Sequence, residues 1–181
     1  YSRLADGIRS TSLDSSLAES RYTFFNAEYQ LLVSQEMTVE ERKRALAEFV
    51  VNTSTQGINE ERREVIFVKT PTGKTPKNSY EMSSNIIQNQ SIPEDLRSKV
   101  QKNAKIQYGY AVATYTNGAT VDSLFVGKRV NIPTGGRYEM YIVFSLKSQT
   151  ETLDLIKKSL FLTGIALLLL IGLITWLVVR Q

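Results

Sequence analysis

The stretch that decides how this chain is organised runs from Leu160 to Val179. It reads Leu-Phe-Leu-Thr-Gly-Ile-Ala-Leu-Leu-Leu-Leu-Ile-Gly-Leu-Ile-Thr-Trp-Leu-Val-Val and contains no charged residue. As a helix that rises ~1.5 Å per residue, it is about 30 Å long, which matches the hydrocarbon core of a bilayer. A soluble domain of this size rarely buries a wholly apolar helix of that length. We therefore predict a transmembrane helix at 160–179 that tethers a water-soluble domain by its C-terminal end.

The composition excludes several kinds of functional site. The 181-residue chain has no Cys and no His, whereas zinc, haem and iron–sulfur sites normally use these residues. Cys–His and Ser–His–Asp catalysis is excluded for the same reason. Gly135 and Gly136 do not form a phosphate loop, because no lysine, hydroxyl residue and helix follow them. We therefore predict no catalytic, cofactor-binding or metal-binding residues, and a membrane-anchored enzyme is the weakest interpretation.

Charge is distributed unevenly along the chain. Residues 1–60 carry a net charge of −3 and residues 61–181 a net charge of +7, which gives +4 in total. A basic excess near a membrane attracts anionic lipid or cell-wall polymer, although an ordinary solvated surface is the favoured interpretation. No recognition motif accompanies the charges, so nucleic acid is not an expected partner. Because the chain starts at Tyr1 and stops just after Arg180, we expect it to be a piece of a longer protein.

Two helices are predicted before residue 55. In residues 1–33, one set of positions recurs in alternating steps of four and three, the spacing of a helix that faces a partner helix. This set, called the seam below, comprises Leu4, Ile8, Thr11, Ser15, Ala18, Tyr22, Phe25, Tyr29 and Leu32. A second stripe would bury another face of the same helix and consists of Leu13, Leu17, Phe24 and Leu31. Thr38 with Glu41 three residues later is a capping-box signature, which predicts the start of the second helix.

The following segment reads mainly as sheet. Strands are predicted at 65–68, 106–116, 121–131 and 138–147, with Asn117-Gly118 as a hairpin turn. A helix is predicted from Ser91 to about Asn103, and residues 74–91 are predicted to be a loop with one helical turn around 80–87. In the last strand, alternation predicts one more deeply buried face, which consists of Met140, Ile142, Phe144 and Leu146. Five tyrosines fall in the strands, where packing is a commoner role than lining a pocket: Tyr108, Tyr110, Tyr115, Tyr138 and Tyr141.

A helical linker at 150–159 leads into the apolar stretch without a helix breaker, so a single helix from about Thr150 to Val179 is predicted. The predicted dimer or signalling positions are Leu4, Ile8, Leu153, Ile156 and Leu160. Trp176 and Arg180 are the predicted membrane-interface anchors. Basic residues next to a membrane span are commoner on its cytoplasmic side. Lys157 and Lys158 flank the end of the span opposite to Arg180, so this rule weakly disfavours a cytoplasmic position for Arg180.

The layout resembles the extracytoplasmic sensor modules of bacterial histidine kinases, in which a long helix and an antiparallel sheet precede a transmembrane helix. Three segments narrow the resemblance: Glu-Met-Tyr-Ile-Val-Phe-Ser-Leu-Lys at 139–147, Glu-Thr-Leu at 151–153 and Val-Val-Arg-Gln at 178–181. They are similar to the membrane-proximal part of actinobacterial sensor histidine kinases of the MtrB type. Ser-Leu-Asp-Ser-Ser-Leu at 12–17 resembles the first extracytoplasmic helix of that family.

The resemblance implies an α+β fold with a PAS/PDC (Cache)-like antiparallel sheet, helices on one side of it and a long N-terminal helix, followed by the transmembrane helix. It implies an extracytoplasmic sensor domain at 1–149, the helical linker at 150–159, the transmembrane helix at 160–179 and the start of a cytoplasmic segment at 180–181. The expected location is the cell membrane, with residues 1–159 outside the cytoplasm.

The function implied by the resemblance is extracytoplasmic sensing or partner binding and transmembrane signalling in a two-component system. The signal would pass to a cytoplasmic kinase domain, which would use ATP and Mg to phosphorylate a response regulator; no cofactor is expected in this chain. The implied partners are a second copy of the chain, a lipoprotein of the LpqB type, a response regulator of the MtrA type and the lipid bilayer. The polar segment 74–90, with Tyr80, is the candidate contact for the lipoprotein. The alternative is a single-span, membrane-anchored structural or interaction protein of the cell envelope.

Overall fold

The computed structural model describes residues 2–33, 37–55, 63–70, 80–83, 87, 91–132 and 136–180. The chain divides into two compact units, Tyr1–Leu146 and Lys147–Gln181. The first unit is α+β, as predicted, and the second is a helix.

The elements follow one another in the order helix, helix, two strands, helix, three strands, helix. They are α1 (Ser2–Val33), α2 (Val39–Thr55), β1 (Arg63–Lys69), β2 (Tyr80–Ser83), α3 (Glu94–Lys102), β3 (Gln107–Thr114), β4 (Thr120–Ile132), β5 (Gly136–Ser145) and α4 (Lys147–Arg180). The predicted long helix at the N-terminus is confirmed. So is the second helix, whose capping box forms: the Thr38 amide donates to Glu41 Oε2 at 2.8 Å, and the Glu41 amide donates to Thr38 Oγ1 at 3.4 Å.

The strands form one antiparallel sheet in the order β2-β1-β5-β4-β3. β5 is central, with Val65 opposite Ile142 on one side and Val126 opposite Ile142 on the other. The predicted Asn117-Gly118 turn joins β3 to β4, and Gly118 has a φ of 82°, which glycine adopts without steric cost. The strands predicted at 106–116, 121–131 and 138–147 correspond to β3, β4 and β5 and are confirmed.

Helices cover both faces of the sheet, so the expectation of helices on one side is wrong. On one face, called the α1/α2 face, a core cluster joins residues of α1 and α2 to the sheet, among them Phe24, Leu31, Leu46, Phe67 and Met140. On the other, called the α3 face, Leu96 and Val100 of α3 pack with Ile66, Phe125 and Tyr141. Because β5 lies at the centre and is covered on both sides, every residue from Tyr138 to Phe144 is buried. The expectation that β5 has one more deeply buried face is wrong for this reason.

The segment predicted as a loop with a helical turn contains a strand instead. Tyr80–Ser83 is β2, which pairs with β1 at the edge of the sheet. The remainder of the predicted contact segment lies outside the described residues, apart from Ile87, which forms an isolated antiparallel bridge with Tyr115. Pairing with β1 satisfies backbone groups that an isolated four-residue segment could not satisfy alone.

The second unit is one uninterrupted helix of 34 residues, which confirms the continuous helix predicted from the absence of breakers. Among the described residues, one helix is long and apolar enough to cross a membrane, and its candidate span is Asp154–Arg180. The two threonine hydroxyls in this span donate to carbonyls four residues earlier, Thr163 to Ser159 and Thr175 to Ile171, both at 2.8 Å. These bonds suit a lipid environment, where an unsatisfied hydroxyl is costly.

Candidate functional site

From Thr11 to Leu32, the seam of α1 lies on the surface of the first unit. Four of its large apolar side chains are mostly exposed: Tyr22 by 70%, Phe25 by 66%, Tyr29 by 60% and Leu32 by 57%. The second predicted stripe faces the sheet instead, with Phe24 and Leu31 almost completely buried. The two stripes of α1 are therefore divided between the core and an uncovered surface, and the uncovered one has the spacing of a helix-pairing face.

The predicted pairing residues lie at the two ends of the chain. Leu4 and Ile8 fall in the first turns of α1, and Leu153 falls in α4; the side chains of all three lie outside the described part of the structure. Ile156 and Leu160 line a shallow strip along α4, of which Ser159, Thr163 and Gly164 are also part. Leu160 is 66% exposed. Small residues on one side of an apolar helix allow a second helix to approach closely, and Ser159 and Thr163 have the four-residue spacing that Gly164 and Gly172 lack.

The two predicted interface anchors contact each other at the end of α4. The Arg180 guanidinium carbon lies 4.9 Å from the centre of the Trp176 ring. A guanidinium over an indole face is a favourable cation–π arrangement, and both residue types are common at the boundary between hydrocarbon and headgroups.

A buried carboxylate in the central strand forms a polar cluster on the α3 face. The Glu139 side chain is completely buried. Its Oε2 accepts from Arg97 Nε at 3.1 Å and from the Tyr141 hydroxyl at 2.8 Å, and its Oε1 accepts from Gln101 Nε2 at 2.8 Å. Burying a charge is tolerated when it is paired and hydrogen-bonded, as it is here. Two of the three donors come from α3, so Glu139 fixes that helix to the strand at the centre of the sheet.

Two further residues support this cluster. Arg129 lies opposite Glu139 on β4 and donates from Nη1 to the Gln101 carbonyl at 3.1 Å. Gly127 lies opposite Tyr141, and a Cβ at Gly127 would come within 2.7 Å of the Tyr141 ring. The missing side chain leaves room for the ring, whose hydroxyl then reaches Glu139.

The sequence prediction missed the role of Glu139. It assigned Glu139 to the less buried face of its strand, because alternation alone ranks a charged position as solvent-facing. Of the five strand tyrosines, Tyr138 and Tyr141 are buried as packing residues, whereas Tyr108 and Tyr110 are about half exposed, at 46% and 53%. A glutamate within the otherwise uncharged run Tyr138–Phe144 was the available hint of a buried polar cluster.

Ion pairs hold α1 to the sheet. Lys128 Nζ lies 2.6 Å from Glu28 Oε1, and Arg63 pairs with Glu19. Burial lowers the pKa of Arg63, but a guanidinium stays charged at any physiological pH. At the start of α2, the hydrogen bond from the Thr38 amide lowers the pKa of the Glu41 carboxyl. These contacts position α1 so that its seam faces outward.

The hydrogen bonds to Glu139 couple α3 to β5. The seam of α1 and the strip along α4 are exposed surfaces available for binding. Among the residues that the structure describes, no group of three or more acidic side chains could hold a metal ion. The chain matches no known protein-family model, and no curated protein matches it.

Proposed function

We propose that this chain is the sensing and membrane-anchoring segment of a dimeric receptor, of the sensor histidine kinase type that its sequence resembles. One observation carries the proposal. A compact α+β unit ends in its central strand, and one residue, Leu146, separates that strand from a helix long and apolar enough to cross a membrane. In this proposal, a displacement of β5 passes along the one-residue connection into α4.

The buried carboxylate provides a route by which a binding event would reach β5. A partner that displaced α3 would pull on Glu139 through Arg97 and Gln101. At the other end of β5, the Leu146 amide donates to the Asp122 carbonyl of β4 at 2.9 Å, which ties the last residue of the unit to the sheet. A differential affinity of ~1.4 kcal/mol between two states changes their ratio tenfold, so a modest interface is enough.

The uncovered seam of α1 is the proposed contact with a second copy. Anchoring in a bilayer keeps two copies parallel and at high effective concentration, which favours pairing through exposed side chains such as Phe25 and Tyr29. The chain has no cysteine, so single cysteines can be introduced without further changes.

Cysteine crosslinking in membranes tests this contact. Cysteines at Tyr22, Phe25 and Tyr29 should form disulfides between copies, whereas a cysteine at Gln30, which is exposed but lies off the seam, should not. The same scan over 150–160 should show a helical period that includes Leu153. Equal crosslinking on and off the seam would show that α1 does not pair in this way.

The location and the lipoprotein partner need separate tests. A cysteine at Asn117, in the exposed hairpin, should react with a membrane-impermeant maleimide in intact cells, whereas one at Arg180 should not. The chain in nanodiscs should capture a purified lipoprotein of the LpqB type. Phosphorylation of a response regulator of the MtrA type, with ATP and Mg, would belong to other parts of the receptor.

Signalling itself can be measured in a chimera. Joining the chain at Gln181 to the dimerisation and catalytic domains of a well-characterised histidine kinase should make autophosphorylation sensitive to the lipoprotein by threefold or more. The variant Arg97→Met should reduce that response, since it removes one of the two side-chain hydrogen bonds from α3 to Glu139. A chimera with full activity and no response to the lipoprotein, or to Arg97→Met, would contradict the receptor proposal.

A further inference from the structure

The outer edge of β3 lacks the features by which most edge strands avoid further pairing. β3 is the last strand of the sheet, is eight residues long, and contains no charged residue and no proline. It pairs with β4 through eight consecutive positions without a bulge. Edge strands are usually short, charged, bulged or interrupted by proline. The opposite edge, β2, follows that rule, because it has four residues and its pairing with β1 shifts in register.

The backbone of β3 presents a row of hydrogen-bonding groups away from the sheet. The Tyr115 amide donates towards β4, to the Ala119 carbonyl at 2.8 Å, whereas the Thr114 amide donates to Ser91 Oγ at 2.9 Å. Alternate residues of an antiparallel strand bond to opposite sides. The amides of Tyr108, Tyr110 and Val112 therefore point away from β4. Within the described part of the chain, no strand pairs with this row, although Ile87 forms an isolated bridge with Tyr115 just beyond its last residue.

The side chains along the same row are apolar and exposed. Tyr108 is 46% exposed, Tyr110 53% and Val112 51%. In a sheet, side chains of neighbouring strands that lie directly opposite each other are about 5 Å apart. A strand added at this edge would place every second side chain beside these three, and an apolar residue at those positions would cover them.

Three lysines precede the row in the chain, and one of them, Lys99, pairs with Asp95 at 3.8 Å. Lys99 and Lys102 lie in the last turn of α3, Lys105 follows in the loop before β3, and all three are exposed. The opposite end, residues 116–119, is an uncharged turn. An added strand would gain from an acidic residue beside Lys102 and Lys105. A second copy of β3 offers no such residue, because the strand and its turn are uncharged.

From these observations we propose that the β3 edge is a docking site for an extended segment of another protein. The segment adds to the sheet as a sixth strand, with apolar side chains at every second position and an acidic residue at the end that meets the lysines. Such strand addition takes its affinity from main-chain hydrogen bonds and its selectivity from alternate side chains. The inference deepens the proposed partner-binding role of the first unit.

The test uses the whole chain in nanodiscs and a phage-displayed library of nine-residue peptides. Peptides enriched on the chain should alternate apolar and polar residues and end in Asp or Glu. Binding of an enriched synthetic peptide should slow hydrogen exchange of the Tyr108 and Val112 amides at least tenfold, and leave those of Gly109 and Ala111 unchanged. N-methylation of the peptide residues whose amides face β3 should abolish binding. N-methylation of the residues between them, whose amides face away from β3, should not.

The matched variants are Tyr110→Pro, which removes one outward-facing donor in a place where edge strands tolerate proline, and Tyr110→Thr, which keeps it. Peptide affinity should fall at least tenfold in the first and less than fivefold in the second, with hydrogen exchange across β5 showing that both variants fold. Three results would overturn the inference. The first is unchanged peptide affinity in Tyr110→Pro, and the second is a library that yields no enriched peptide. The third is protection of the Tyr108 amide that depends only on chain concentration.

Capture of the lipoprotein is scored separately in the same nanodiscs. Peptide binding at β3 without capture of the lipoprotein supports the docking edge and removes that lipoprotein as the partner. Capture of the lipoprotein by a chain that enriches no peptide overturns the docking edge and supports the proposed function.

Discussion

Replacing Arg97 with methionine should destabilise the first unit by about 3 kcal/mol. The substitution keeps much of the apolar stem of the side chain but removes the charge that lies against Glu139, whose carboxylate is completely buried. Breaking a buried ion pair from one side typically costs about 3–5 kcal/mol, because the other charge is left without compensation. We expect the lower end of that range, since Gln101 and Tyr141 still donate to the carboxylate at 2.8 Å.

Two further variants separate the ion pair from general damage. Adding Glu139→Gln to Arg97→Met removes the uncompensated charge and keeps an acceptor for the Tyr141 hydroxyl, so the double variant should lose only about 1 kcal/mol. In the Arg97→Met background, Glu139→Gln would then recover about 2 kcal/mol of stability, and the single variant Glu139→Gln would complete the cycle that gives the coupling energy. Lys99→Met changes an exposed lysine of the same helix, whose pairing with Asp95 is 3.8 Å long. Lys99→Met should lower the free energy of unfolding by less than about 0.5 kcal/mol.

The assay is urea unfolding of the whole chain in detergent micelles. All nine tyrosines precede residue 147 and the one tryptophan is Trp176, so tyrosine circular dichroism follows the first unit and tryptophan fluorescence follows α4. At roughly 3 °C per kcal/mol for a unit of this size, Arg97→Met should also lower Tm by about 9 °C. A loss below about 1 kcal/mol for Arg97→Met, or an equal loss for Lys99→Met, would refute the assigned role of the buried pair.

Three other expectations can be checked with simple measurements. Gly127→Ala should lower the free energy of unfolding in urea by about 2 kcal/mol, because its Cβ would meet the Tyr141 ring at 2.7 Å. Gly109→Ala, whose nearest contact is at 3.8 Å, should change stability little. Similar losses in the two variants would contradict the packing argument. The hydrogen bond from the Thr38 amide lowers the pKa of Glu41 from its ordinary value of 4.5, so the ionised carboxyl stabilises α2 above pH 4.5. This contribution should be lost as the pH falls below 4.5 and through the lowered pKa. Glu41→Gln should remove that part of the pH dependence of helix content, and an unchanged profile would argue against the cap. Calorimetry with zinc, magnesium and calcium should show no saturable binding, and a stoichiometric isotherm for any of them would contradict the prediction of no metal site.

Features that depend on near neighbours in the chain could be predicted from the sequence. An uncharged and mostly apolar run of twenty residues predicts a membrane-spanning helix, whatever else the protein contains, because insertion into lipid requires only length and composition. The capping box of α2 needs Thr38 and Glu41, three residues apart, and the β3–β4 hairpin needs Asn117-Gly118. In the cap and the hairpin, the determining residues lie within four positions of each other in the sequence.

Features that depend on which elements meet were decided by the tertiary structure. α1 carries two apolar stripes, and only the packing against β4 and β5 shows that Phe24 faces the core while Phe25 remains exposed. Glu139 was predicted to lie on the less buried side, because nothing in its own strand reveals that Arg97 and Gln101 of α3 cover it. Alternation records which residues share a face, but burial depends on what covers that face. Those covering residues are about 40 positions away in the sequence.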